Sequence, residues 1–165
     1  YHVRVEKDNY ETTEKKITIS NKTNVSRLDY EFEKRIKPIG VGTDLAKTLN
    51  IPIIYFDLDK SFIRKDAAYE LEKIIVVMTD FPKLKIDIRS HTDSRQTAKY
   101  NNALSERRAK STRDWLVKRG ISANRLTAKG YGESQLVNHC ADGVKCSEAE
   151  HQENRRSEFV IVSME

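Results

Sequence analysis

A strand, loop and helix in succession, over residues 84–118, constrain the fold more than any other stretch of the sequence. Leu84, Ile86 and Ile88 alternate with charged residues, as in a half-buried strand. A polar loop follows, and residues 104–118 then place their apolar side chains on one arc of a helix. A strand that runs into an amphipathic helix predicts a sheet with helices packed on it.

The predicted helix has one charged residue on its inward arc, Arg108. A guanidinium cannot be neutralised, so its unpaired burial would cost several kcal/mol, on the order of the penalty for a buried ion. Arg108 must therefore be paired or face a ligand. Asp93, in the loop just after the strand, is a candidate partner or co-ligand.

Short motifs in and beyond this stretch resemble a known family. They are HTD at 91–93, Asn101, LSERRA at 104–109, GYGES at 130–134 and ENRRSEF at 153–159. In order and spacing, over residues 51–163, they are similar to the OmpA C-terminal-like, peptidoglycan-binding domain family. The resemblance implies an α/β sandwich, an α+β fold in which helices pack on a small mixed β-sheet.

The resemblance also implies a function, the non-covalent binding of peptidoglycan through the diaminopimelate of its stem peptide. Such binding anchors an outer-membrane or periplasmic protein to the cell wall. The family's Asp for the amino group and its Arg, fifteen positions later, for the carboxylate are here Asp93 and Arg108. The other ligand-binding residues expected on this basis are Thr92, Asn101, Leu104, Leu58, Asp59, Asn154 and Arg155. Asn101 should also fix the loop by hydrogen bonds. Leu58 and Asp59 have the alternative that the acidic residues there only end a strand. Asn154 and Arg155 should lie near Asp93, where they either touch the ligand or brace the site. No catalytic residue, metal or cofactor is expected.

One residue departs from the family pattern. Gln96 stands three positions after Asp93, where the family usually has glycine. Glycine readily takes a positive φ and glutamine does not, so this departure bears on the path of the loop.

Two other functions fit the same residues. The first is a protein-interaction or scaffold module, in which Asp93 and Arg108 form an internal ion pair. The second is a cell-wall hydrolase that uses His91 with the serines near it. The sequence has no nucleophile elbow and no ordered Ser, His, Asp arrangement, so a hydrogen-bonding scaffold role is favoured for His91.

Two cysteines, Cys140 and Cys146, lie in one loop, with His139 and His151 nearby. A local disulfide, free thiols and a zinc site are the three interpretations. Zinc is disfavoured because the loop has no C-x2-C pair. In addition, the adjacent residues His139 and Cys140 could bind one zinc ion with tetrahedral geometry only under strain. The disulfide is the simplest interpretation, and it requires an oxidising compartment. That agrees with the periplasmic side of the outer membrane of a Gram-negative bacterium, where the resemblance places the domain.

Charge and hydropathy argue against two classes of partner. The net charge is +5, but the 30 basic and 25 acidic residues are interspersed, which disfavours nucleic-acid binding. No apolar run approaches the ~20 residues that span a bilayer, so membrane attachment is expected only through other parts of a longer protein.

The chain divides into three predicted regions. Residues 1–37 alternate as three short strands and weakly resemble the end of a carboxypeptidase-regulatory-like β-sandwich, a partial sandwich. Residues 38–50 form a linker marked by proline and glycine, and residues 51–165 form the OmpA-like domain. The predicted fold is therefore an α/β sandwich preceded by a short β segment.

Within the third region we predict four strands and two main helices. The strands are placed near 53–56, 84–90, 125–129 and 158–162, with GYG at 130–132 as a turn and the last strand in a central position. The first main helix is capped by Asp66, has a core stripe of Leu71, Ile74, Ile75 and Met78, and ends at Phe81 and Pro82. The second main helix ends at Gly120.

Overall fold

The structure is a computed structural model that describes residues 39–54 and 62–165, together with the backbone of residues 2–5 and 13–16. Two compact units are present, Tyr1–Ile39 and Gly40–Glu165. In the first unit, strands β1 (His2–Val5) and β2 (Thr13–Lys16) pair antiparallel. The third strand predicted in this unit lies outside the described residues.

The second unit contains a mixed three-stranded sheet with helices packed on it, which confirms the predicted fold class. Its elements are α1 (Leu45–Thr48), α2 (Lys65–Asp80), β3 (Lys85–His91), α3 (Ala98–Lys118), β4 (Leu126–Gly132), α4 (Glu148–Asn154) and β5 (Ser157–Ser163). The strand order is β4-β3-β5, with β3 parallel to β4 and antiparallel to β5. No described helix has the length and apolar character that a bilayer crossing requires.

Helix α2 supplies one side of the core. Its residues Leu71, Ile74 and Met78 are buried as predicted, while Ile75 is half-buried at the edge of the stripe. The predicted cap is wrong by two positions: the N-cap is Arg64, and Asp66 lies in the first turn, where its carboxylate accepts from the Ala67 amide. A carboxylate there still stabilises the positive end of the helix dipole.

The end of α2 is held by an arginine from a distant part of the sequence. Arg125 donates through Nε to the Leu84 carbonyl at 2.9 Å and through Nη2 to the carbonyls of Met78 and Phe81 at 2.7 and 2.8 Å. Carbonyls at a helix C-terminus lack intrahelical partners, so the guanidinium satisfies them and fixes the approach to β3.

The helix predicted over 104–118 forms, but α3 begins six residues earlier, at Ala98. Thr97 caps its N-terminus by accepting from the Tyr100 amide, and Gly120 follows its end with φ +99°. Leu104, Ala109 and Leu116 are buried on its inner face. The end at Gly120 agrees with the prediction, whereas the Thr97 cap that sets the start was not predicted.

The GYG motif is part of β4, so the turn predicted there is wrong. A Cβ at Gly130 would lie 2.1 Å from the Glu106 amide nitrogen, and one at Gly132 would lie 2.3 Å from Asn102 Oδ1. Glycine is required because α3 crosses β4 at close range. The turn itself begins at Glu133.

Strand β5 does not have the predicted central place in the described sheet, because β3 lies between β4 and β5. Phe159 and Ile161 are buried, but Val162 on the other face is 43% exposed. The outer side of β5 bonds to the segment around residue 43, where Gly42 N donates to Ile161 O at 2.8 Å. The predicted linker, 38–50, therefore packs in the second unit from Gly40 onward.

The predicted strand at 53–56 is only partly described. Ile53 and Ile54 have no regular structure, and Ile54 is buried. The following residues, 55–61, lie outside the described residues.

Candidate functional site

The loop after β3 holds a carboxylate, Asp93, that is only 7% exposed. Its Oδ2 accepts from Arg155 Nη1 at 2.6 Å and from Arg95 Nη2 and Nε at 2.8 and 3.2 Å. Burial raises the pKa of Asp93, but the hydrogen bonds from Arg95 and Arg155 outweigh it and lower that pKa to about 2. Asp93 is therefore a buried anion at neutral pH.

Glu148 bonds to both of these arginines. It accepts from Arg95 Nη1 at 2.7 Å and from Arg155 Nη2 at 2.5 Å, and the two guanidiniums lower its pKa. A capping box between Ser147 and Glu150 starts α4 at Glu148, which fixes where this carboxylate emerges. We refer to Arg95, Glu148 and Arg155 as the Asp93 clamp.

Asn101 fixes the loop by hydrogen bonds, as predicted. Its Nδ2 donates to the Asp93 carbonyl at 3.0 Å, to the Gln96 carbonyl at 3.2 Å and to the Glu133 carboxylate. Among the described non-glycine residues, only Asn50 has a positive φ. Gln96 thus follows the loop without the conformation for which glycine is favoured.

Leu104 and Arg108 lie along α3 from Asn101, on the face turned to the core. Leu104 is buried, and Arg108 is half-buried seven residues after Asn101, about 10 Å along the helix axis. Arg95 and Arg155 form ion pairs with Asp93. The charge of Asp93 is therefore compensated without the Asp93–Arg108 ion pair that the protein-interaction alternative requires.

The NRR motif contributes one residue to the Asp93 loop and one to the interior. Arg155 reaches Asp93, as expected from the sequence. Asn154 is fully buried, and its amide bonds to Val137 N at 2.8 Å and Asn138 Oδ1 at 2.7 Å. Asn154 therefore braces the loop before α4, the second of the two roles that the sequence leaves open for it. Leu58 and Asp59 lie outside the described residues.

Cys140 and Cys146 form a disulfide, so the simplest of the three interpretations is confirmed. The sulfurs lie with His139 and Glu150 in a group whose potential metal-ligand atoms are within 4.8 Å of one another. A disulfide sulfur is not the thiolate that zinc binds, so the group does not amount to a zinc site. Cys140 is buried, and its carbonyl accepts from Ser94 Oγ at 2.7 Å, which ties the disulfide loop to the Asp93 loop.

We expect loss of this disulfide to lower stability by about 2 kcal/mol, because the closed ring is short and constrains little of the unfolded chain. The measurement is thermal unfolding with and without a reductant, which acts at a single bond because the chain has two cysteines. Ligand affinity should change little, since Asp93 is held by side chains outside the ring. A double Cys→Ser variant that melts with the oxidised parent would contradict the expected stabilisation.

His91 is buried but does not make the ring hydrogen bonds predicted for it. The ring is 2% exposed and stacks on Tyr131 with centroids 5.3 Å apart. Neither ring nitrogen has a hydrogen-bond partner in the described part of the chain. Burial, together with the nearby Arg156, lowers the pKa of His91 to about 4. The imidazole is thus a neutral packing group at neutral pH.

Two residues of the Asp93 clamp, Arg95 and Glu148, were not predicted. Arg95 lies two positions from Asp93 in a turn, a spacing that brings side chains together. Glu148 opens a helix whose Ser147-x-x-Glu150 signature is visible in the sequence. The signature locates the helix start, but only the fold brings that start to Asp93.

Comparison with known proteins agrees with this fold and loop. The model of the OmpA family matches residues 55–150. The peptidoglycan-associated lipoprotein of Brucella melitensis is 41% identical over 121 residues, which cover 73% of this chain and 69% of that protein. Photosystem I P700 chlorophyll a apoprotein A2 of Gloeobacter violaceus is 39% identical over 131 residues, 78% of this chain but 15% of that protein.

A solved structure shows the same architecture. The crystal structure of the peptidoglycan-associated lipoprotein from Burkholderia pseudomallei has a TM-score of 0.57 and 28% identity, and covers 66% of this chain and 87% of that one. The fold and the HTD loop define a small α/β sandwich domain with a buried acidic loop. The chain belongs to the OmpA family.

Proposed function

We propose that this chain binds peptidoglycan non-covalently and anchors a protein of the Gram-negative cell envelope to the wall, on the periplasmic side of the outer membrane. Membership of the OmpA family supports this proposal, as does the 41% identity to a protein named peptidoglycan-associated lipoprotein. The domain acts here as a binding module rather than as an enzyme.

The proposed ligand group is the diaminopimelate of the stem peptide, a zwitterion. The observation that carries the proposal is the Asp93 carboxylate, which is nearly buried and yet ionised. Its Oδ1 makes one long hydrogen bond, 3.2 Å from the Arg95 amide, although a carboxylate oxygen has two lone pairs. An ammonium group can therefore bind at Oδ1.

The carboxylate of the same ligand is assigned to Arg108. A guanidinium donates two parallel N–H bonds to a carboxylate, and the half-buried position of Arg108 strengthens such a contact relative to bulk water. Thr92 adds a further polar group, since its buried hydroxyl has no partner among the described residues. Leu104, between Asn101 and Arg108 on α3, supplies an apolar wall.

Calorimetric titration with two soluble stem peptides tests the proposal. One peptide carries diaminopimelate, and the other carries lysine, which lacks the terminal carboxylate. We expect binding of the first and at least about tenfold weaker binding of the second, because one charge-assisted contact is lost. Absence of binding to the diaminopimelate peptide would refute the proposal.

Purified cell wall distinguishes binding from hydrolysis. The domain should sediment with the wall and release no soluble fragments during a long incubation. Release of fragments would support the hydrolase alternative instead.

A further inference from the structure

The hydrogen bonds to Asp93 are distributed unevenly between its two oxygens. Oδ2 accepts three N–H donors, from Arg155 Nη1 and from Arg95 Nη2 and Nε. Oδ1 accepts, from the described residues, a hydrogen bond of the Arg95 amide alone. A carboxylate with two guanidiniums on one oxygen has much of its charge compensated before any ligand arrives.

The two arginines are not equally held. Both bond to Glu148, but Arg155 also bonds to Gln152 and its side chain is 22% exposed, whereas the Arg95 side chain is 47% exposed. Arg95 has a second acceptor in place, Glu148 Oε2 at 2.7 Å from its Nη1. Arg95 can therefore leave Asp93 and remain paired with a carboxylate.

We propose that Arg95 is a built-in competitor for the ligand ammonium, and so a residue that determines the specificity of the site. In the unbound protein Arg95 bonds to Asp93. On binding, the ligand ammonium bonds to Oδ1 and competes with the Arg95 guanidinium for the charge of the same carboxylate, so the Arg95 side chain leaves Oδ2 and bonds to Glu148 alone. Arg155 stays on Oδ2 in both states. This inference rests on the proposed function, because it assumes that Asp93 receives an ammonium.

Competition of this kind depends on charge. A protonated amine brings a full positive charge to Asp93 and competes there with the guanidinium of Arg95. An acetylated amine is neutral and donates weaker hydrogen bonds, so it competes little for the charge of Asp93. Arg95 thereby lowers the affinity for charged ligands more than for neutral ones.

The decisive variant is Arg95→Ala, measured by titration with the diaminopimelate stem peptide. At pH 7 its affinity should be about two- to fivefold higher than that of the parent, the range expected when one exposed ion pair no longer competes. The affinity for the same peptide with its free amine acetylated should rise by a smaller factor, because a neutral group competes little with Arg95 for the charge of Asp93. Arg95→Gln, which keeps the length of the side chain, should change both affinities in the same direction.

Acid pH gives a second readout. Arg95, Arg155 and Glu148 are the charged groups that bond to one another around Asp93, and the hydrogen bonds from Arg95 lower the pKa of Asp93. Removing Arg95 therefore raises that pKa, so Asp93 takes up its proton at a higher pH in the variant. The ratio of variant affinity to parent affinity should fall as the pH is lowered from 7 to 3.

Arg119→Ala is the matched control. Its side chain is 46% exposed and bonds to one glutamate, Glu72, and it follows the far end of α3. The control removes the same charge with the same exposure, so it should leave affinity unchanged. A thermal melt confirms that each variant is folded.

Equal or weaker binding by folded Arg95→Ala at pH 7 overturns the inference, since Arg95 would then be neutral or a ligand contact. In that case the parent still binds, and the proposed function stands. If the parent itself does not bind the diaminopimelate peptide, the proposed function fails and the inference fails with it.

Discussion

Asp93→Ala should abolish most binding to peptidoglycan while the domain stays folded. The carboxylate is nearly buried and its pKa is about 2, so it presents a full negative charge at neutral pH. Removing one partner of a desolvated charge contact costs about 2–5 kcal/mol, or about thirty- to several-thousand-fold in affinity. The measurement is titration with the soluble diaminopimelate stem peptide, with folding checked by thermal melt.

Two comparisons make the Asp93 result specific. Lys110→Ala removes an exposed cation of α3 that pairs with Glu106, and it should cost only tenths of a kcal/mol, as such pairs do. On a non-specific cationic surface, loss of Asp93 would strengthen binding and loss of any lysine would weaken it. If Asp93→Ala binds as well as the parent, the proposal that Asp93 binds the ligand ammonium fails. Asp93→Asn keeps the shape of the side chain and removes its charge. It is the variant to measure if Asp93→Ala does not fold.

Arg108→Ala should weaken binding to a similar degree, about 2–5 kcal/mol, but through the other end of the zwitterion. The parent should distinguish diaminopimelate from lysine by the terminal carboxylate, and the variant should lose that distinction. If Arg108 binds the carboxylate, the losses from Arg108→Ala and from the lysine peptide are not additive. Full additivity would show that the carboxylate binds elsewhere.

The choice of control for Arg108 depends on the structure. Arg113 is on the outer arc of the same helix, but its Nε donates to the Leu126 carbonyl at 3.3 Å and so helps to hold α3 on β4. Lys110 makes only an exposed pair with Glu106 within the described residues. Lys110→Ala is therefore the cleaner control for both predictions.

The sequence predicted those parts of the domain in which local signals and packing agree. The alternation before Ser90 corresponds to β3, and the glycine after Arg119 corresponds to the end of α3. Asn101 was assigned to the loop from the family motif, and it bonds to two carbonyls of that loop. Each of these features depends on residues close together in the chain.

The features that the sequence did not predict depend on contacts between distant residues. Glycine occurs both in turns and where a helix crosses a strand at close range, so the GYG motif alone does not distinguish these two structures. Here the close approach of Glu106 to Gly130 shows that the motif belongs to a crossing. Arg95 and Glu148 are 53 residues apart and meet only because α4 ends at β5, beside β3. The continuous apolar run of β5 indicates a strand but not its neighbours, which are set by topology.

The crossing of α3 over β4 also affects how the sheet can associate. In the described sheet β4 is an outer strand, and an outer strand normally offers unpaired N–H groups to any passing chain. Here the Gly130 amide donates to the Glu106 carboxylate at 2.8 Å, and the Gly132 amide donates to Ser105 Oγ at 2.9 Å. Side chains of the protein's own helix thus occupy donors that strand addition would need. The domain is in this way protected, on that side of the described sheet, against edge-to-edge aggregation.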